Sequence, residues 1–471
     1  MRAFPAVASG LLALVLSLLP LPAALPAKPN VLFIAIDDLR DWVGYLGHNP
    51  QAKTPNIDRL AKMGESFTRS YCAAPVCNPS RAALMSGLRP STSGVYDNGN
   101  DWRSAISEDL PLTTTFRKAG YFVCGSGKIY HEAYKRRSEW DDYLENDGGL
   151  PKVPEGQSTG VGGIKFAPLD CKDEDLNDWK ITDYGIAQLQ KKHDKPFFLA
   201  VGLHKPHMPW NVPQKWYDMF PADKIELPPY LENDLDDIPP AGVKMAHPDT
   251  DHIPMIKSGR WKEAIQGYLA ASAYTDMNIG RLLDAFEKSA FRDNTIIVFW
   301  CDHGWHLGEK HHWRKFALWE EATRAPLLWV VPGLTKPGSV CNRTVDFMNI
   351  YPTLTDLCGI PTPKHVEGKS IRKLLGDADA EWDTPALTTY RYQNHAVRSE
   401  GWRYIRYENG DEELYNEQDD PNEWTNLAQD SRYKTLKKQM AAFMPKQNEP
   451  DFGKIKGQAS PEKAKRKDKK K

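Results

Sequence analysis

Beyond its first 27 residues the chain has no segment apolar and long enough to cross a bilayer. Excess charge of one sign is also missing. The 61 Lys and Arg residues stand against 62 Asp and Glu, a formal net of −1, so nothing global points to a nucleic-acid partner. There is no internal repeat. The composition, 41% hydrophobic and 26% charged, excludes both a disordered chain and a fibrous one. What remains is an ordinary globular composition over 471 residues, enough for a large buried core. Length alone suggests two or three domains, although α/β enzymes often exceed that size in one unit.

Two terminal segments stand apart. Arg2 precedes the apolar run Gly10–Leu19, and small residues follow to Ala27, which reads as an export signal over residues 1–27. At the other end, residues 454–471 hold nine Lys or Arg against Glu462 and Asp468. That is a local net of +7, which leaves about −8 for the rest of the chain. Residues 453–471 have almost no apolar content and read as a disordered, solvated tail. Seven cysteines in an exported chain permit disulfides without fixing their pairing, and the odd count leaves one thiol over.

Between these ends, buried-type runs alternate with helical patterns. Asn30–Ile36 is a continuous apolar, β-branched run that suits a strand covered on both faces. The runs Tyr121–Cys124, Pro196–Val201, Asn294–Cys301 and Ala325–Val331 read the same way. Helices are expected at Thr54–Met63 (Pro55 first, Gly64 as stop), Leu112–Ala119 and Gly267–Lys288. The alternation predicts a doubly wound α/β sheet over residues 28–382, with ligands bound beyond the carboxyl ends of its strands. From about residue 383 to 452 the pattern changes to short strands with Gly401 and Asn409-Gly410 as turns, then a closing helix. This predicts a smaller antiparallel C-terminal subdomain.

Three constellations carry chemistry. Cys77 opens Cys-Asn-Pro-Ser-Arg. Asn78 suits an N-cap and Pro79 the first helical position, which places the thiol just before a helix N-terminus, where amides and dipole favour an anion. Arg81 adds positive charge. A thiol phosphatase would need Arg six residues after the Cys, where this chain has Ala83. Next, Asp37-Asp38 and Asp302-His303 each end a buried strand. Adjacent strand ends would bring three carboxylates and an imidazole together, and a hard divalent cation would relieve their repulsion. Third, Lys128 and His131, His204 to His207, and Lys315 all follow strands expected to point into the same crevice.

These residues identify a resemblance. The chain resembles the type I, formylglycine-dependent sulfatases, in their iduronate-2-sulfatase branch with its bacterial relatives. The motifs are NVLFIAIDDLR, CNPSRAALMSG, VYDNGNDWR, GSGKIYH, FFLAVGLHKPH and CDHGWHLGEK. The one departure is Met85-Ser86-Gly87, where the family signature ends in Leu-Thr-Gly. The resemblance implies an alkaline-phosphatase-like sandwich with a large, mostly parallel sheet. It implies that Cys77 is oxidised to formylglycine by a generating enzyme, and that its hydrate attacks the sulfate ester. Asp37, Asp38, Asp302 and His303 would hold one Ca2+. Arg81 and Lys128 would grip the formylglycine oxygens, and Lys315 the sulfate. His131 would accept the proton that triggers sulfate release, and His204 would protonate the departing alkoxide. The expected substrate is a sulfated, uronate-containing polysaccharide or oligosaccharide. Trp102, Arg103, Lys205, His207, Trp210, Trp305, His306, Arg391 and His395 are candidates for its cleft. The enzyme is expected to be periplasmic or secreted (lysosomal in a eukaryote), with no nucleic-acid partner and no stable membrane insertion. The rival readings are a phosphodiesterase or phosphonate monoester hydrolase of the same superfamily, and a catalytically silent polysaccharide-binding protein.

Overall fold

β1 (Asn30–Asp37) is buried along its whole length, because it lies mid-sheet with a layer on either face. The computed structural model that shows this describes residues 28–131, 136–145 and 151–453. The expected export signal lies outside the described residues, as does the Lys-rich tail apart from Gly453. In chain order the other central strands are β2 (Glu65–Tyr71), β3 (Phe122–Gly127), β4 (Asp142–Leu144), β5 (Phe197–Pro206), β6 (Thr295–Cys301), β7 (Leu327–Val330) and β8 (Ser339–Asp346). Their order across the eight-stranded sheet is β8-β2-β7-β6-β1-β5-β3-β4. Only β7 runs antiparallel to its neighbours; every other pairing is parallel.

The helices that matter below are α1 (Pro55–Met63), α2 (Cys77–Ser86), α3 (Leu112–Lys118), α4 (Asn177–Gln190), α5 (Pro240–Ala246), α6 (His252–Ser258), α7 (Trp261–Lys288) and α8 (Ile350–Leu357). Phe198 and Val201 of β5 stand three residues apart and therefore point to opposite faces. Phe198 meets Phe116 of α3, with ring centroids 4.9 Å apart. Val201 lies against Gly185 of α4, beside Leu282 of α7. Helices thus cover both faces, and the fold is the alkaline-phosphatase-like sandwich expected. Residues 386–416 add a four-stranded antiparallel meander, β9 (Ala386–Thr389), β10 (His395–Arg398), β11 (Trp402–Arg406) and β12 (Glu412–Asn416).

The register sets the site. β1 pairs with β6 up to Ile36 opposite Cys301, and with β5 as far as Asp37 opposite Pro206. β3 lies beside β5 to Gly127 opposite Gly202. Asp37-Asp38, Asp302-His303, residues 204–207 and Lys128 are therefore delivered to one edge of the sheet by parallel strands. No helix among the described residues is long and apolar enough to cross a membrane. All seven cysteines are unbridged.

Gly202 marks how closely these strand ends approach. A Cβ there would lie 2.5 Å from the carbonyl carbon and 2.7 Å from the nitrogen of Lys128, with its oxygen nearer still. Backbone cannot yield as a side-chain tip can. Gly202→Ala is expected to cost about 1–3 kcal/mol, seen as a lower midpoint in urea unfolding. An unchanged midpoint would show that the strands have slack.

Candidate active site

Asp38, directly after β1, adopts φ 60°, a backbone conformation uncommon outside glycine. Its turn is held from both sides. The Tyr268 hydroxyl donates to the Asp38 carbonyl (3.0 Å) and accepts from Arg40 N–H (2.8 Å), and Asp38 N–H donates to Asp302 Oδ1 (3.2 Å). Cys77 is the first residue of α2, and extended Val76 takes the cap position, so the helix starts earlier than an Asn78 cap predicts. The reason is tertiary. Asn78 N–H donates to the Asn98 side chain (2.9 Å), and the Asn78 amide donates to the carbonyls of Asp97 (3.0 Å) and Asn100 (2.9 Å). The loop 97–100 thus orients the start of α2 in place of a local cap.

The Cys77 sulfur is 2.8 Å from Lys315 Nζ and 3.4 Å from His303 Nε2. Lys315 Nζ also donates to Asp38 Oδ1 (2.7 Å), and Lys128 Nζ to Asp37 Oδ2 (2.5 Å). Arg81 bridges the two strand ends, with Asp302 Oδ2 at 2.9 Å and Asp37 Oδ1 at 3.2 Å. His303 Nε2 lies 3.4 Å from Asp38 Oδ1 and 3.5 Å from Asp302 Oδ1. All of these groups are buried.

Burial sets the electrostatics. It pushes the Asp37 pKa up, but Lys128, then His207 and Arg81, outweigh it and hold Asp37 well below the usual carboxylate range. Asp38 goes the other way. Burial raises it, Lys315 offsets only part of the rise, and Asp37 and Asp302 add like charge. Burial works against the charges of Lys128 and Lys315, yet the facing carboxylates more than compensate and push both pKa values up. His131 is brought down to about 3 by burial and then by the nearby Lys128 charge, so it is neutral across the physiological range.

The donor set fits a hard cation. Asp38 Oδ2 is buried with no hydrogen-bond partner. Asp37, Asp38 and Asp302 bring carboxylate oxygens, which suit Ca2+ or Mg2+, beside two imidazoles and the Cys77 sulfur. Ligand-type atoms of Asp37, Asp38, Cys77 and His207 lie within 4.8 Å of one another, as do those of Cys77, Asp302 and His303.

Of the residues singled out from the sequence, Asp37, Asp38, Cys77, Arg81, Lys128, Asp302, His303 and Lys315 come together, with His131 near Lys128. His204 is turned to Asp178. Its N–H donates to Asp178 Oδ1 (2.8 Å), and its Nδ1 is 3.3 Å from the same oxygen. His207, expected in the sugar cleft, faces the cluster instead, with Nδ1 on the Met208 carbonyl (2.6 Å) and Nε2 3.8 Å from Asp38 Oδ2. Lys310, five residues before Lys315, is turned to Asp234 (2.7 Å).

Several proposed cleft residues are core instead. Trp102 is buried and stacks on Tyr130 at 4.6 Å. Trp210 and Trp305 pack edge to face, and His306 and His395 are buried. Lys205 is buried with Nζ on the carbonyls of His207 and Pro209. Arg103, Arg391 and His207 keep solvent access.

The family model described as Sulfatase matches residues 29–360. The chain belongs to the sulfatase family. A second family model, described as N-sulphoglucosamine sulphohydrolase, C-terminal, matches residues 308–449. A protein named sulfatase from Formosa agariphila is 40% identical over 89% of this chain and 87% of its own length. Human iduronate 2-sulfatase is 30% identical over 75% of each chain. Among solved structures, a phosphonate monoester hydrolase of Agrobacterium radiobacter superposes with TM-score 0.75 at 22% identity, over 88% of this chain and 94% of the other. That last likeness shows the fold alone. This sulfatase is a sulfuric ester hydrolase.

Because Arg81 is fully buried between Asp37 and Asp302, truncating it strands two carboxylates. Arg81→Met in this sulfatase is expected to cost about 3–5 kcal/mol, measured by urea unfolding. A loss below about 1 kcal/mol would mean that the two aspartates find other partners.

Proposed function

We propose that this sulfatase removes sulfate from a sulfated, uronate-containing oligosaccharide or polysaccharide, with Cys77 converted to formylglycine as its nucleophile. The observation that carries the proposal is the position of the Cys77 sulfur at the mouth of the sheet, within 4.8 Å of the ligand-type atoms of Asp37, Asp38 and His207 and beside Lys315. The uronate assignment is supported by the likeness to human iduronate 2-sulfatase. Maturation by a formylglycine-generating enzyme and export through residues 1–27 belong to the same proposal.

A hydrated formylglycine supplies two hydroxyls on one carbon, one to attack sulfur and one whose deprotonation expels sulfate. Arg81 and Lys128 hold the nucleophile's surroundings at fixed positive charge. Lys315, between Asp38 and Cys77, is placed to draw a sulfate oxygen. Asp37, Asp38, Asp302 and His303 are the residues to hold Ca2+, which would supply charge that polarises the sulfate. His131 is neutral and so can accept a proton from the second hydroxyl. His207, not His204, is the proposed general acid. Its Nδ1–H is committed to the Met208 carbonyl, so the proton given to the departing alkoxide is the Nε2–H of the imidazolium, which faces the nucleophile side, whereas His204 is tied to Asp178.

Two measurements test this reading. Enzyme from its native host is expected to yield a Cys77 peptide with the mass of formylglycine, and to release sulfate from at least one defined uronate-containing oligosaccharide. Unmodified cysteine there, or faster turnover of an aryl phosphate than of the matched aryl sulfate, would sink the proposal. The second outcome favours the phosphonate monoester hydrolase reading, which shares this fold. In the other experiment, His207→Ala is expected to lower kcat by about 10²- to 10⁴-fold and His204→Ala by less than about tenfold. The reverse ranking would restore His204 to the role.

Bound Ca2+ should also raise the melting temperature, since a ligand that binds only the folded state stabilises it. Asp38→Asn is expected to abolish most of that rise; an equal rise in both proteins would place the ion elsewhere.

A further inference from the structure

Lys315 reaches Cys77 and Asp38 from a backbone that does not hold itself. Lys310, His311, Arg314 and Phe316 all have positive φ (53°, 51°, 79° and 76°), and Gly308 has φ 124°. Four side-chain-bearing residues in the left-handed region within seven positions persist only where surrounding structure fixes them. The local secondary structure is slight: Trp313-Arg314 pair with His306-Leu307 in a two-residue ladder.

The fixing contacts converge from the link between α5 and α6. The Arg314 guanidinium grips both carboxylate oxygens of Asp251, at 2.7 and 3.1 Å. Asp251 is buried and also accepts from Gly163 N–H (2.9 Å), which ties it to a second segment. His312 lies between two carbonyls, Ala246 O at 2.7 Å from Nδ1 and Lys315 O at 2.5 Å from Nε2. Ala246 ends α5, and Asp251 immediately precedes α6. Residues flanking Lys315 on its N-terminal side are therefore anchored to a span of six residues remote in sequence.

From this geometry we infer that Asp251 is a positioning residue for Lys315, acting through Arg314, with His312 as a second point of the same brace. It touches neither nucleophile nor substrate. Its role is to hold the 314–316 backbone in its unfavourable conformation, so that Lys315 Nζ lies between Asp38 and the nucleophile. A two-point carboxylate–guanidinium grip suits this because it fixes direction as well as distance. The inference rests on the roles of Cys77 and Lys315 proposed above.

The test is a double-mutant cycle on the full-length, formylglycine-bearing enzyme with para-nitrophenyl sulfate. Asp251→Ala is expected to lower kcat/KM by about 10- to 100-fold, as small misplacements of a catalytic group do. It should divide the loss between kcat and KM in the proportion shown by Lys315→Ala. Made on top of Lys315→Ala, it should add less than about twofold, because the group it positions is gone. Arg314→Ala should repeat the pattern and Arg314→Lys recover part of the activity. The two Arg314 variants decide the matter if Asp251→Ala does not fold. Full additivity of the losses in the cycle would overturn the inference and leave Asp251 a structural residue. A parent enzyme that hydrolyses the ester while Lys315→Ala is unimpaired would also overturn it, without touching the sulfatase assignment. A modified parent that releases no sulfate would bring down the functional reading and this inference with it.

Discussion

Six buried charges surround one sulfur atom: Asp37, Asp38 and Asp302 against Arg81, Lys128 and Lys315. None could be buried alone, since an unpaired ion inside a protein costs several kcal/mol. Together they cancel, and the cancellation is geometric as well as arithmetic. Arg81 ties the ends of β1 and β6, Lys128 joins the end of β3 to β1, and Lys315 comes from outside the sheet. The exception is Asp38, whose pKa burial raises and whose second oxygen has no hydrogen-bond partner. The protein's own cations leave this one carboxylate under-compensated.

The parallel sheet makes the arrangement affordable. Parallel strands with crossover helices bring all their carboxyl ends to one edge. β1 and β6 can therefore be apolar along the core and acidic at their tips, while β5 between the same layers ends in His204-Lys205-Pro206, with His207 next. β1 and β6 are buried throughout, so each pays for its two polar terminal residues with a long apolar anchor. The position of the charges is then decided by the register of β1 with β5 and β6.

That division explains what could be read from sequence. β1, β5 and β6 were legible because their apolar runs are continuous. β2 (ESFTRSY) and β8 (SVCNRTVD) were not, since both carry polar residues and β8 is an outer strand of the sheet with partly exposed positions. Asp37, Asp38, Asp302, Cys77 and Arg81 were legible because each follows a strand or starts a helix. The places of His204 and His207 were not, because the turn after β5 carries one histidine toward Asp178 and the other toward Cys77, and spacing does not say which. The aromatic candidates failed for a simpler reason: Trp102, Trp210 and Trp305 fill the core, the commoner fate of so large a side chain. The pairing of Arg314 with Asp251 joins residues 63 positions apart, and no local pattern announces it.

The C-terminal sheet follows from the same constraint. Thr389 N–H donates to the Ala73 carbonyl (2.9 Å) and Thr388 Oγ1 to that of Cys72 (2.6 Å), so β9 lies along the segment leading into Cys77. Beneath it, Glu320 meets Arg398 and Arg403 and accepts from the Tyr71 hydroxyl (2.7 Å) at the end of β2. Burial pushes the Glu320 pKa up, but Arg398 and then Arg403 and Arg324 overcome it and hold the carboxylate ionised. A buried network of this kind is stabilising only when every member keeps its partner. Arg398 and Arg403 come from the meander, where Glu417 and Glu423 also face them, and Glu320 and Arg324 come from the main body, so one charge network spans both parts. The meander is thus bound into the wall behind Cys77, and its attachment is electrostatically specific, where an apolar contact would tolerate sliding.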